Sequence, residues 1–176
     1  MDNTCRKASL EDRPSIESLI ARSARELSAG DYNPGQVEGA LQGAFGVDTQ
    51  LIRDGTYFVV EKAGEIVACG GWSKRKTLFG GDANAQRDPE ELDPRRDAAK
   101  IRAFFVDPGH ARQGIGRMLL EHCEKAAAAQ GFTRFELMAT LPGQRLYRTC
   151  GYVPKALVHH PVAPGITIEF IPMSKP

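Results

Sequence analysis

The stretch Phe104-Phe105-Val106-Asp107-Pro108-Gly109-His110-Ala111-Arg112-Gln113-Gly114-Ile115-Gly116-Arg117 constrains what this chain can fold into more than any other segment. Ile101, Ala103, Phe104, Phe105 and Val106 succeed one another too densely for a half-exposed strand. They suit a strand buried on both faces, hence central in its sheet. A Pro-Gly turn ends that strand, and residues 114–130 then read as a helix, with Ile115, Met118, Leu119, Cys123, Ala126 and Ala127 on one face and Gly131 as the stop. Glu121 and Lys125 add an i,i+4 pair on its exposed side. A buried strand feeding a helix through a short turn commits the chain to a layered α/β arrangement.

The flanking segments agree with that frame. Residues 4–8 suit a short strand, and Ser9-Leu10-Glu11-Asp12 has the form of a helix start with an acidic first turn. Ile16, Leu19, Ile20, Ala24 and Leu27 then share one helical face, with Gly30 beyond it. Asn33 and Pro34 open a second helix carrying Val37, Ala40, Leu41 and Ala44, weakened by Gly35, Gly39 and Gly43. Tyr57-Phe58-Val59-Val60-Glu61 and Ile66-Val67-Ala68-Cys69, joined by Lys62-Ala63-Gly64-Glu65, form a β-hairpin. Residues 74–100 are polar and rich in Gly, Asp, Pro and Arg, an exposed excursion too long for an ordinary connection. Strands at 135–138, 152–158 and 166–171 and a short helix at 143–149 complete the order. With 176 residues and no linker or repeat, residues 1–176 are expected to form a single domain with a mixed α/β sheet.

The glycine turn carries chemistry because successive main-chain N–H groups at a helix start converge on one point and share the positive end of the helix dipole, which suits a phosphate. Gly114 and Gly116 let a diphosphate approach the backbone, and Arg112 and Arg117 can add charged contacts. Nucleotide-hydrolase loops close with Gly-Lys-Ser/Thr, whereas Gly116 is followed by Arg117 and Met118. A dinucleotide fingerprint needs a third glycine where this chain has Leu119.

The run from Phe104 to Gly116 resembles the signature of the GCN5-related N-acetyltransferases, in which an apolar strand, a Pro-containing turn and Gln/Arg-x-x-Gly-x-Gly/Ala open a long helix. Leu146-Tyr147-Arg148-Thr149-Cys150-Gly151-Tyr152 is similar to that family's later Leu-Tyr-x-x-x-Gly-Phe/Tyr element, and Arg6-Lys7-Ala8 with Asp12 matches near the start. The resemblance implies an α/β (α+β) fold, with a mixed, mostly antiparallel central sheet flanked by helices. It implies acetyl-CoA as co-substrate without a metal, and direct transfer to a small-molecule or peptide amine in a ternary complex; it is compatible with a homodimer. By resemblance, the backbone of Phe104, Phe105 and Val106 binds the pantetheine arm, and Arg112, Gln113, Gly114, Ile115, Gly116 and Arg117 wrap the diphosphate. Phe104 also polarises the acetyl carbonyl, Thr140 stands where many relatives have Asn, and Tyr147 protonates the departing thiolate.

Two positions depart from the family pattern. Ala111 replaces the first Gln/Arg of the signature, and Lys100 stands where some relatives place a glutamate base. The base is then a water chain, Glu61, His159 or His160. Other readings are a non-catalytic acyl-CoA-binding domain, a transferase of another acyl group and, for Tyr147, ordinary core packing; Trp72, Tyr32 and Tyr57 are read equally as an aromatic wall for a substrate or as core packing. A net charge of +1 gives no field for nucleic acid or an anionic membrane. Scattered Cys5, Cys69, Cys123 and Cys150, no signal peptide and no apolar span lead to a cytoplasmic expectation.

Overall fold

The computed structural model describes residues 2–84 and 87–176; Ala85 and Gln86, inside the polar excursion, lie outside the described residues. Along the chain run β1 (Thr4–Lys7), α1 (Arg13–Leu27), α2 (Pro34–Ala40), α3 (Thr49–Asp54), β2 (Tyr57–Lys62), β3 (Glu65–Ser73) and β4 (Ala99–Val106). They are followed by α4 (Ile115–Ala128), β5 (Phe135–Thr140), α5 (Gln144–Thr149), β6 (Val153–Pro154), β7 (Val158–Ala163) and β8 (Ile166–Lys175). The strands make one sheet in the order β1-β2-β3-β4-β5-β8-β6, with β7 also paired to β8. Among the described residues β4 and β5 pair in parallel and the other neighbours antiparallel. This is the mixed, mostly antiparallel sheet flanked by helices that the sequence leads one to expect, with β4 in its centre.

Strand alternation sends two sets of side chains into two cores. Phe58 and Val60 of β2 pack with Leu119 and Cys123 of α4 on one face. Tyr57 and Val59 pack with Ile16 and Ile20 of α1 on the other, a face shared with α2 and α3. Each helix buries an i,i+3/i+4 stripe: Ile16, Leu19, Ile20 and Ala24 in α1, and Ile115, Leu119, Leu120, Cys123 and Ala127 in α4. Several local expectations change. Leu27, assigned to the buried stripe, is 39% exposed because α1 ends there. Helix α2 stops at Ala40, before Leu41 and Ala44, although Asn33 and Gln36 form a full capping box. Glu121 pairs with Arg117 at 3.4 Å and not with Lys125. Helix α3 has only six residues, too few for a readable period, and is set by the Asp48 side chain at its start and Gly55 at φ 72° after its end.

Two irregularities of β4 place everything that follows. Its register with β3 runs from Cys69↔Phe105 to Gly71↔Arg102, so Ala103 and Phe104 have no partner in the register. This is a β-bulge, with Ala103 at φ 53°. The buried Tyr57 hydroxyl donates to the Ala103 carbonyl at 2.8 Å, meeting the hydrogen-bonding need that the bulge creates. Gly70 opposite is required, since a Cβ there would lie 2.6 Å from the Phe104 ring. On its other edge β4 meets β5 only through Ala99↔Phe135 and Lys100↔Glu136, after which the two strands part. Lys100 ties the closed end to Glu136 across 3.1 Å.

The polar excursion is structured. Lys76 N–H donates to Glu90 O at 2.9 Å and Thr77 N–H to Asp88 O at 3.0 Å, and the excursion ends at Ala98, because Ala99 and Lys100 already belong to β4. Arg102, set between the apolar Ile101 and Ala103 of β4, anchors it. Its side chain is 1% exposed, and Nη2 donates to Asp48 at 2.8 Å and to the Gly80 carbonyl at 2.7 Å. Arg87 reaches the other oxygen of Asp48 at 2.7 Å. Burial lowers the Arg102 pKa, and Asp48 opposes that effect. Removing one partner of such a buried pair is costly, because the remaining charge and carbonyls lose their donor. Arg102→Met is therefore expected to destabilise the fold by roughly 3 kcal/mol in urea titrations; a loss within experimental error would mean that the anchor contributes nothing.

Candidate active site

Where β4 and β5 part, a cavity of about 1010 Å³ passes from one face of the sheet to the other. Residues of both cores line it: Ile101, Phe104 and Tyr147 from the α4 side, and Ala103, Phe105 and Phe170 from the α1 side. Opening the sheet leaves the β4 edge from Ile101 onward without ladder partners on β5. An extended chain of alternating donors and acceptors can hydrogen-bond there as an added strand would.

The turn after β4 forms the cavity's basic mouth. Asp107 accepts hydrogen bonds from Gly109 N–H at 3.2 Å and from His110 Nδ1 at 2.9 Å, and pairs with Arg22 of α1 at 3.2 Å. Burial raises the Asp107 pKa, but His110 and Arg22 outweigh it and hold the carboxylate below its usual range. So fixed, the backbone passes through Arg112 at φ 60° and Gly114 at φ 81° into α4. The Met118 N–H donates to the Gly114 carbonyl at 3.0 Å, so the amides before it are the orphan donors that a helix start leaves. A Cβ on Gly114 would meet nothing within 4 Å, so its backbone is open, whereas one on Gly116 would lie 3.1 Å from Leu146, so Gly116 lets α5 pack close against the helix start. Orphan amides flanked by Arg112 and Arg117 suit this turn to an anion such as a phosphate.

Tyr147 stands on α5 beside that mouth. Thr140 Oγ1 accepts the Gly143 N–H at 3.1 Å, closing the turn from β5 into α5 and aiming the tyrosine back at β4. Its ring meets Phe104 at 6.4 Å and Tyr152 at 5.8 Å between centroids, while its hydroxyl makes no hydrogen bond among the described residues. Burial pushes its pKa above the ordinary 10.0, so the phenol stays protonated at neutral pH.

Of the residues singled out from the sequence, Phe104, Phe105, Val106, Thr140 and Tyr147 line the cavity. So do Arg112, Gly114, Ile115, Gly116 and Arg117, whereas Gln113 is exposed beside it. Phe105 points to the α1 side, so only its backbone shares the edge used by Phe104 and Val106. Lys100 does not line the cavity. Glu61 is held by Arg6 between β1 and β2, and His159 is exposed on β7. His160 stacks behind the wall, 4.9 Å from Phe79 and 5.9 Å from Phe170, and burial lowers its pKa. Trp72 packs on Phe132, and the Tyr32 hydroxyl joins the Glu169 carbonyl to the Leu141 amide, so both are core residues. Phe45, Phe79 and Asp31 also line the cavity and had no local signal. Arg102 did have one, a charge inside an apolar strand.

The sequence matches the family model described as Acetyltransferase (GNAT) family over residues 23–152. A GCN5-related N-acetyltransferase structure from Rhodopseudomonas palustris is similar at TM-score 0.71 and 17% identity, covering 99% of this chain and 96% of that one. The PaiA N-acetyltransferase of Thermoplasma acidophilum, in complex with coenzyme A, has TM-score 0.68 and 13% identity, with 99% of each chain covered. The polyamine N-acetyltransferase of Drosophila melanogaster has TM-score 0.62 and 15% identity, covering 98% of this chain and 99% of that one. At these identities the likeness establishes the fold. No curated protein matches the sequence.

Proposed function

The chain belongs to the acetyltransferase (GNAT) family, and from that premise we propose that it moves an acetyl group from acetyl-CoA to an amine, with both substrates bound at once. The observation that carries this reading is a cavity that crosses the parted sheet, with the amides of the α4 mouth at one end and Tyr147 on its wall. The coenzyme A in the Thermoplasma complex supports the donor side.

In this reading, main-chain amides from Arg112 to Arg117 hold the diphosphate, and the two arginines add charged hydrogen bonds at the rim. The free β4 edge at Phe104 and Val106 takes the pantetheine amides. Acetyl-CoA supplies a thioester: the neutral amine forms the C–N bond as the C–S bond breaks, and the nitrogen then loses a proton to water at the open end of the cavity. The Phe104 amide, outside the β3 register, stabilises negative charge on the carbonyl oxygen, a donor worth on the order of 3 kcal/mol in comparable sites. Tyr147 gives its proton to the departing sulfur, and the proton that nitrogen released to water returns from solvent to the phenolate, so that amine and thioester become amide and free thiol with no net change in protons. A free thiol titrates near 8.5, about 1.5 units below an ordinary phenol. The burial that raises Tyr147 also disfavours a bare thiolate beside it, so a proton on the sulfur relieves an unfavourable buried charge.

Tyr147→Phe is expected to lower kcat about 100-fold, the usual scale for one general acid, while calorimetry finds acetyl-CoA bound as before. Unchanged turnover removes Tyr147 from the chemistry. Since the folded pKa is raised, the acid is active below pH 10 and lost only above it; a Tyr147-dependent fall in rate between pH 7 and 9 would contradict the assignment. Gly116→Val, whose side chain must displace Leu146, should raise the acetyl-CoA Kd at least about tenfold, or 1.4 kcal/mol, in protein that circular dichroism shows to be folded. Normal affinity in that variant would reject the cradle.

A further inference from the structure

On the α1 side of the sheet the cavity wall changes from basic to aromatic. Phe45, Phe79, Phe105 and Phe170, from four separate segments, all line it. Phe45 lies 5.8 Å from Phe105 and 6.0 Å from Phe170 between ring centroids, and Phe79 lies 5.7 Å from Phe170, in edge-on or tilted contacts. These rings satisfy one another's edges and form a continuous apolar wall. The wall is set in advance. Asn84 donates to the Phe79 carbonyl at 3.1 Å, and buried Arg102 holds the next carbonyl, that of Gly80, at 2.7 Å.

Charge is divided along the same cavity. Arg112, Arg117, Arg145 and Arg148 stand at the donor end. Asp31, exposed in the turn after α1, is the lone carboxylate among the described lining residues and takes part in no ion pair among them. Buried Ser23 and Ser28 supply the neutral polar groups nearby in sequence.

Resting on the acetyltransferase reading, we propose that the acceptor is a monoamine carried on an apolar, aromatic-sized body. The body packs against the phenylalanine wall, and Asp31 attracts the ammonium before it loses its proton. Amine and acetyl-CoA then yield an amide and the free thiol of coenzyme A. A polyamine or guanidinium-bearing amine carries a second cation, which would have to leave water against rings without a second carboxylate, and unpaired burial of charge is unfavourable. A flat aromatic body instead removes apolar area from water on both partners.

The full-length protein, acetyl-CoA and a panel of phenethylamine, tryptamine, agmatine and spermidine provide the test. Thiol release should show kcat/KM for the arylalkyl amines at least about tenfold above the two polycations. Phe79→Ala should weaken phenethylamine about tenfold, both in KM and by calorimetry on the protein saturated with coenzyme A, and Phe79→Leu should recover most of that loss. Asp31→Asn should weaken it roughly threefold, because an exposed charge is screened. The acetyl-CoA Kd should stay unchanged in all three variants. Preference for spermidine or agmatine, unaltered phenethylamine binding in Phe79→Ala, or acetyl-CoA binding without acetylation of any arylalkyl amine would overturn the acceptor assignment alone. Failure of the unaltered protein to bind acetyl-CoA would overturn the transferase reading beneath it.

Discussion

The parting of β4 from β5 after Lys100 is the constraint on which the rest of this structure depends. Two strands that stayed paired would bury their main-chain groups in each other and seal the sheet. Here only Ala99 and Lys100 are paired, and the bulge at Ala103 bends the strand beyond them. The Tyr57 hydroxyl stabilises that bulge by bonding the Ala103 carbonyl, and Gly70 removes the Cβ that would collide with Phe104. An irregular backbone thus persists because neighbouring groups make it the best-packed arrangement available.

Each face of the opening is furnished by a different part of the chain. The α4 face receives a helix mouth with open backbone at Gly114 and with Tyr147, positioned through the Thr140–Gly143 turn. The α1 face receives the aromatic wall, one segment of which is the excursion after β3. Arg102 ties the excursion to the opening: it belongs to the central strand yet holds Gly80 of the excursion, and Asp48 at the start of α3 neutralises it. A loop with few apolar anchors is thereby given a fixed position beside the cavity, by hydrogen bonds to a buried cation.

Much of this was legible locally. The hairpin β2–β3, the amphipathic α1 and α4 and the glycine mouth at Gly114 and Gly116 depend on neighbours within about four residues, so pattern and turn chemistry suffice to read them. Leu27 and the Glu121–Lys125 pair were misread because a helix period says which residues share a face. It does not say where the partner surface ends or which of two cations a carboxylate selects. Helix α3 escaped because its caps, Asp48 and Gly55, bracket too short a period.

By itself, the amino-acid sequence determined a buried strand running into a phosphate-sized helix mouth, a mixed sheet around it and a tyrosine placed to follow. These depend on local backbone preference and on which side chains avoid water. Tertiary structure alone decided that Phe45, Phe79, Phe105 and Phe170 share one wall, that Arg102 is buried against Asp48, and that Lys100 pairs with Glu136 outside the cavity. Those outcomes depend on strand register and on where β4 stops pairing with β5. Both arise from packing between segments tens of residues apart, and no periodicity within a single segment encodes them.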